Sequence, residues 1–200
     1  MKGLLMKDFY IIRSVIATLL LVFIVMGICL SYLVNPWVLT VLATVMLGMN
    51  VASTITMDKT SGWLKPIAIT PVSRKSFINS KYVMYFLLSI VGLIMGIIFG
   101  TVSTLIIDGN TKMVGLFICI SISMALISGS VILPFYFLFD ENKSVIGTIL
   151  SYPISAGIVA GLIYLLGNTT STYILTFLIS LCLFLVSWYL SWKILSQKDI

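Results

Sequence analysis

A chain of 200 residues with 60% hydrophobic and 9% charged side chains, and a mean hydropathy of +1.18, is not a water-soluble domain; soluble chains carry about a quarter charged residues. Its net charge of +6 is spread over short segments beside apolar runs, a pattern of membrane orientation rather than of a nucleic-acid surface. The apolar runs reach the about 20 residues that a helix needs to cross a bilayer, and they lack the alternation of a barrel. The expected fold class is all-α: a polytopic bundle in one domain, with no room beside it for an ATPase module.

Residues 1–13 are short and mixed. On a helix Leu4, Leu5, Phe9 and Ile12 share a broad side, with Lys2, Lys7 and Asp8 mostly away from it. That describes an amphipathic helix at the membrane surface. No convincing small-residue cleavage site follows the first apolar run, so a cleaved signal peptide is not expected. The first span is predicted at about 14–34. Asn35-Pro36 then makes a tight turn, because proline cannot extend one helix but tolerates the start of the next. Span two covers about 37–57, and its Asn50, Ser53, Thr54 and Thr56 give one half a polar character. Asn50 inside a span is expected to meet a partner helix or to line a path, with Thr54 near it.

Residues 58–81 form the long polar interruption of the chain and hold five of its twelve basic residues. Gly62 loosens this loop, Pro66 and Pro71 divide it, and Ser73 is a suitable cap for a helix that runs into span three, about 82–107. Arg74, Lys75 and Lys81 read as basic residues at the membrane surface. Gly92, Gly96 and Gly100 form two overlapping G-x-x-x-G steps, a close-packing surface for another helix. Spans four to six are predicted at about 113–139, 145–166 and 172–192. Pro134 frees a carbonyl in span four, Pro153 lies in span five with Gly157 and Gly161, and Asp140-Glu-Asn-Lys143 joins these two spans. Cys29, Cys119 and Cys182 fall in apolar segments and are expected as small buried hydrophobes.

With the N-terminus inside, eleven of the twelve basic residues lie on the cytoplasmic side and Lys112 alone outside. Six spans with both termini cytoplasmic follow from that bias. The chain has no His, and its six acidic residues fall at predicted loops or termini. A proton or ion relay has no candidate in the spans. No phosphate loop, nucleophile elbow or H-E-x-x-H motif occurs, so no catalytic, cofactor or metal residue is assigned.

Three segments carry a resemblance. They are the opening Met1-Lys-Gly-Leu-Leu-Met-Lys-Asp-Phe-Tyr10; the loop Asp58-Lys-Thr-Ser-Gly-Trp-Leu-Lys65 with Thr70-Pro-Val-Ser-Arg-Lys75 and Asn79-Ser-Lys-Tyr82; and Leu133-Pro-Phe-Tyr-Phe-Leu-Phe-Asp-Glu-Asn-Lys143. In this order they resemble compact bacterial ABC-2 type permeases, with Thr70 where the family usually has Leu and Asp140 where it often has Gly. The nearest types in general character export phenol-soluble modulins or confer bacteriocin immunity.

The resemblance implies a permease subunit of the bacterial cell membrane without its own ATPase. A cytosolic ATP-binding cassette protein would supply ATP and Mg, and a second permease, identical or homologous, would complete the transporter. It makes 1–13 a connecting helix and part of 58–72 a coupling helix, with 140–143 a smaller contact. Asp58, Trp63, Leu64, Lys65, Pro66, Pro71, Arg74, Lys75, Asp140 and Glu141 are the implied ATPase-coupling residues, Trp63 and Leu64 being the buried anchors. Asn50 and Thr54 would line the path for hydrophobic or amphipathic cargo, peptides or toxins, moved outward. The alternative is a membrane subunit that binds the same ATPase in immunity, sensing or support and moves no cargo.

Overall fold

The computed structural model describes residues 2–33, 35–62, 74–107, 114–139 and 141–197. These form seven helices: α1 (Lys2–Leu33), α2 (Val38–Met49), α3 (Val51–Thr60), α4 (Arg74–Ile107), α5 (Val114–Leu138), α6 (Glu141–Leu166) and α7 (Thr170–Gln197). Five stretches are long and apolar enough to cross a membrane: Val38–Thr60 (α2 with α3), Arg74–Ile106, Val114–Leu138, Lys143–Leu166 and Thr170–Leu195. A sixth is added if the two arms of α1, Gly3–Arg13 and Val15–Val25, which meet at 47°, make one span. The chain is an all-α polytopic membrane protein. Its outer faces fit lipid: Leu105, Tyr164 and Leu165 are each about four-fifths or more exposed, which hydrocarbon accepts and water would not.

The α2–α4 seam is set by glycine. A methyl group at Gly92 would come within 2.8 Å of Thr44 Cα, one at Gly96 within 2.5 Å of Thr40 Cα, and one at Gly100 within 2.9 Å of the Trp37 ring. The G-x-x-x-G surface is therefore spent inside the chain, on α2. Around Gly157 and Gly161 nothing lies within 4 Å of such a methyl, so spacing alone did not tell a seam from an open face.

The turn between α1 and α2 follows from Asn35, whose Oδ1 accepts the Trp37 N–H at 3.1 Å while its carbonyl accepts the Val38 N–H at 3.0 Å. Gly62, at φ +68°, closes α3 in the left-handed region, where a Cβ is penalised. Pro134 has no N–H for the Ser130 carbonyl, and Ser187 on α7 supplies the missing donor at 2.8 Å. Tyr82 OH lies 2.8 Å from both Ser187 Oγ and Ser191 Oγ, which extends this bond into a buried network across α4, α5 and α7. A proline in a span is tolerated where a neighbouring helix re-satisfies the backbone, as here.

Two expectations are corrected. On the first arm of α1, Asp8, expected to fall mostly away from the apolar side, is buried with Ile12, while Phe9 is 51% exposed. The inward stripe runs Leu5, Asp8, Ile12, Ile16, at the 3–4 spacing of one helix face. Of the cysteines, Cys182 is exposed and Cys119 half-buried, apolar groups on or near the lipid face rather than core; the Cys29 side chain lies outside the described residues.

Candidate functional site: a buried ion cluster at one end of the bundle

Three helices send charged side chains to one point. Lys81, one-fifth of the way along α4, is 1% exposed. Its ammonium lies 2.8 Å from Asp8 Oδ1, 2.6 Å from Asp58 Oδ2 and 3.0 Å from Thr54 Oγ1. Lys7 pairs with Asp58 and stands 3.8 Å from Asp8. Asp8 and Asp58 are themselves 1% and 3% exposed. Two acids and two bases make a neutral quartet that ties the first arm of α1, the end of α3 and the start of α4. Burial of a lone charge would cost several kcal/mol, so the set holds only as a whole.

The same end of the bundle carries further cross-links. Lys59 Nζ donates to the Phe139 carbonyl at 2.6 Å, joining the end of α3 to the residue before Asp140. Arg74 donates to the Leu195 carbonyl at 3.1 Å, and Lys75 stacks on Trp192 and Trp188 at 5.1 and 5.9 Å from the ring centres. The start of α4 is thereby held to the last turns of α7. Both stretches that open onto the 63–73 segment, the end of α3 and the start of α4, are thus braced by charge. Beside them lies an open groove of about 540 Å³ with Ile11, Asn50, Ser53, Tyr136 and Thr148 among its walls.

The profile of the ABC-2 family transporter proteins matches residues 3–196. The chain belongs to the ABC-2 transporter family. No curated protein and no solved structure matches it.

Within this ABC-2 protein the coupling candidates divide. Trp63, Leu64, Lys65, Pro66 and Pro71 lie outside the described residues, as do Asp140 and the side chain of Glu141. Asp58 faces inward and is taken up by Lys7 and Lys81. Arg74 and Lys75 hold α7, with Lys75 exposed. Of the two path candidates, Asn50 lines the groove, with its amide donating to the Met46 carbonyl of its own helix at 2.7 Å rather than to a neighbour. Thr54 does not join it: it is fully buried, donates to the Val51 carbonyl at 2.8 Å and accepts from Lys81. Lys81 corrects the reading of a basic residue at the membrane surface, since three acceptors inside the protein surround it.

Lys7, Asp8 and Lys81 were missed as a site, although each helix carried a signal. Asp8 lies on the stripe Leu5, Ile12, Ile16; Lys81 lies between Phe77 and Tyr85; Asp58 follows Val51, Thr54 and Ile55. A charge at a stripe position is either a packing fault or half of a pair. Among the described residues no group of three or more His, Cys, Asp or Glu could hold a metal.

Proposed function

We propose that this chain is the permease subunit of an ATP-driven exporter, and that the end of the bundle holding the ion cluster faces the cytoplasm and receives the ATPase. Family membership supports the reading, and the observation that carries it is the quartet Lys7, Asp8, Asp58 and Lys81. It joins the two flanks of the 63–73 segment to the arm of α1. A cytosolic ATP-binding cassette protein, which brings ATP and Mg, grips that segment with Trp63 and Leu64 as anchors beside Lys65, Pro66 and Pro71, and touches Asp140 and Glu141 as a smaller contact. In support, the Lys59–Phe139 bond holds the end of α3 to the residue before Asp140. Both termini are cytoplasmic, and the arm 3–13 lies along the inner surface.

A push on the segment moves α3 and α4 together, and the quartet passes the displacement to α1. Only contacts that differ between two states can couple them; the salt-bridged flanks supply a rigid input to such a switch. Two permeases, identical or homologous, close a path between them, and the groove containing Asn50 is this chain's share of it. Its apolar and hydroxyl lining suits hydrophobic or amphipathic peptides or toxins of the phenol-soluble modulin or bacteriocin kind.

The test is co-purification from membranes with a cytosolic ATP-binding cassette protein of the same cell, followed by ATP turnover with and without an amphipathic peptide. A stable complex stimulated by peptide, and turnover that collapses in Trp63→Ala while the complex stays folded, supports the proposal. A complex that turns over ATP without any response to cargo moves the protein to the non-transporting class. A permease that never holds an ATPase ends the reading altogether.

A further inference from the structure

An open groove of about 490 Å³ runs between α4 and α7 and shares no lining residue with the cluster or with the groove at Asn50. Val83, Phe86 and Leu87 form one wall, Leu181 and Leu185 the other. From Asn79 to Leu87 the groove follows eight residues of helix, about 12 Å, against about 15 Å for half of the hydrocarbon core. It thus runs from its polar end at Asn79 inward over part of the depth of one leaflet.

One end of this groove is polar. Asn79 Oδ1 accepts the Trp188 indole N–H at 2.8 Å, and one turn toward the helix start the exposed Lys75 ammonium sits over Trp192 and Trp188. Ring faces attract an ammonium without occupying its N–H donors, so Lys75 is held in place with donors left to give. Among the described residues the acidic side chains are Asp8 and Asp58, and both are committed to the buried quartet. No acidic side chain among the described residues is therefore left over for Lys75 at this rim.

We propose that this groove binds an anionic glycerophospholipid. One acyl chain lies between α4 and α7, and the headgroup phosphate accepts hydrogen bonds from Lys75 at the level of Trp188 and Trp192, with Asn79 beside it. Indole rings at headgroup depth and a basic residue next to them are the two elements such a headgroup needs. The site does not depend on the ATPase, so it stands or falls apart from the transport reading.

Native mass spectrometry of the full chain in detergent, with phosphatidylglycerol and phosphatidylcholine of identical acyl chains, tests it. The expected result is retention of phosphatidylglycerol over phosphatidylcholine. Lys75→Gln lowers that preference about fivefold, the factor for one basic residue near a charged surface, and Lys75→Arg keeps it. Leu185→Trp, which fills the groove, reduces retention of both lipids. Equal retention by the wild type, or an unchanged preference in Lys75→Gln, overturns the proposal. So does cross-linking of Leu185→Cys between two copies in membranes, which would make the groove an interface.

Discussion

Lys81 and Asp8 are 73 residues apart in sequence and 2.8 Å apart in space, each with 1% of its surface exposed. Each is part of what offsets the other's buried charge, with Asp58 and Lys7 completing the set. Removing one partner of a buried pair is costly because the remaining charge has no water to turn to, whereas replacing the set with apolar groups is often neutral. Lys81→Met is therefore expected to destabilise the protein by about 3–5 kcal/mol, read as thermal unfolding in detergent. Adding Asp8→Asn to Lys81→Met should recover part of that loss. An additive double mutant would mean that the two residues act separately.

The seam of α2 and α4 gives a sharp contrast among glycines. Gly92→Val drives a side chain into the backbone of Ala43 and Thr44, which cannot turn aside as a flexible side chain would. Overpacking of this kind costs about 1–3 kcal/mol or more. Gly157→Ala meets nothing within 4 Å and should leave the melting temperature within the error of measurement or slightly raise it, by the helix preference of about 1 kcal/mol. Parallel unfolding of the two variants decides the matter.

Ser187 offers a test by repair. Ser187→Ala leaves the Ser130 carbonyl without the donor that Pro134 already denies it. The expected loss is about 1 kcal/mol, within the range of hydrogen bonds measured in membrane bundles. Pro134→Ala in the same chain restores an N–H four residues after Ser130, so the double variant should be more stable than Ser187→Ala alone. If it is not, the bond carries no stability.

Lys59 joins the end of α3 to Phe139 at the start of the 139–141 break. On the proposal that Trp63 and Leu64 carry docking, Lys59→Met should lower ATP turnover in the assembled complex several-fold while leaving the amount of ATPase that co-purifies unchanged. Loss of co-purification instead would place Lys59 in the docking surface.

Much of the fold was legible because bilayer physics leaves few options. An apolar run of sufficient length becomes a helix, Asn35-Pro36 becomes a turn and Gly92, Gly96 and Gly100 become a seam. The cluster was less visible for a reason rooted in where the helices begin and end. A basic residue where a helix enters the membrane has an ordinary explanation in orientation, and Lys81 satisfies it by position. What distinguishes Lys81 is its angle around the helix, on the same stripe as Phe77 and Tyr85, and no local rule pairs that stripe with Asp8 and Asp58 on other helices. Asn50 was the opposite case. A polar group in a span suggests a distant partner, yet the carbonyl one turn back, Met46, was nearer.

The glycine seam also limits which parts of the protein can move on their own. Where Gly92 and Gly96 rest on Ala43, Thr44 and Thr40, main chain touches main chain, and a slide of either helix along the other would carry Thr40 and Thr44 off these glycines and against residues that bear side chains. Helices α2 and α4 therefore travel as one splinted plate. Any rearrangement of the bundle has to be taken up at its borders, at the 47° elbow of α1 and along α6, whose Gly157 and Gly161 touch no neighbour.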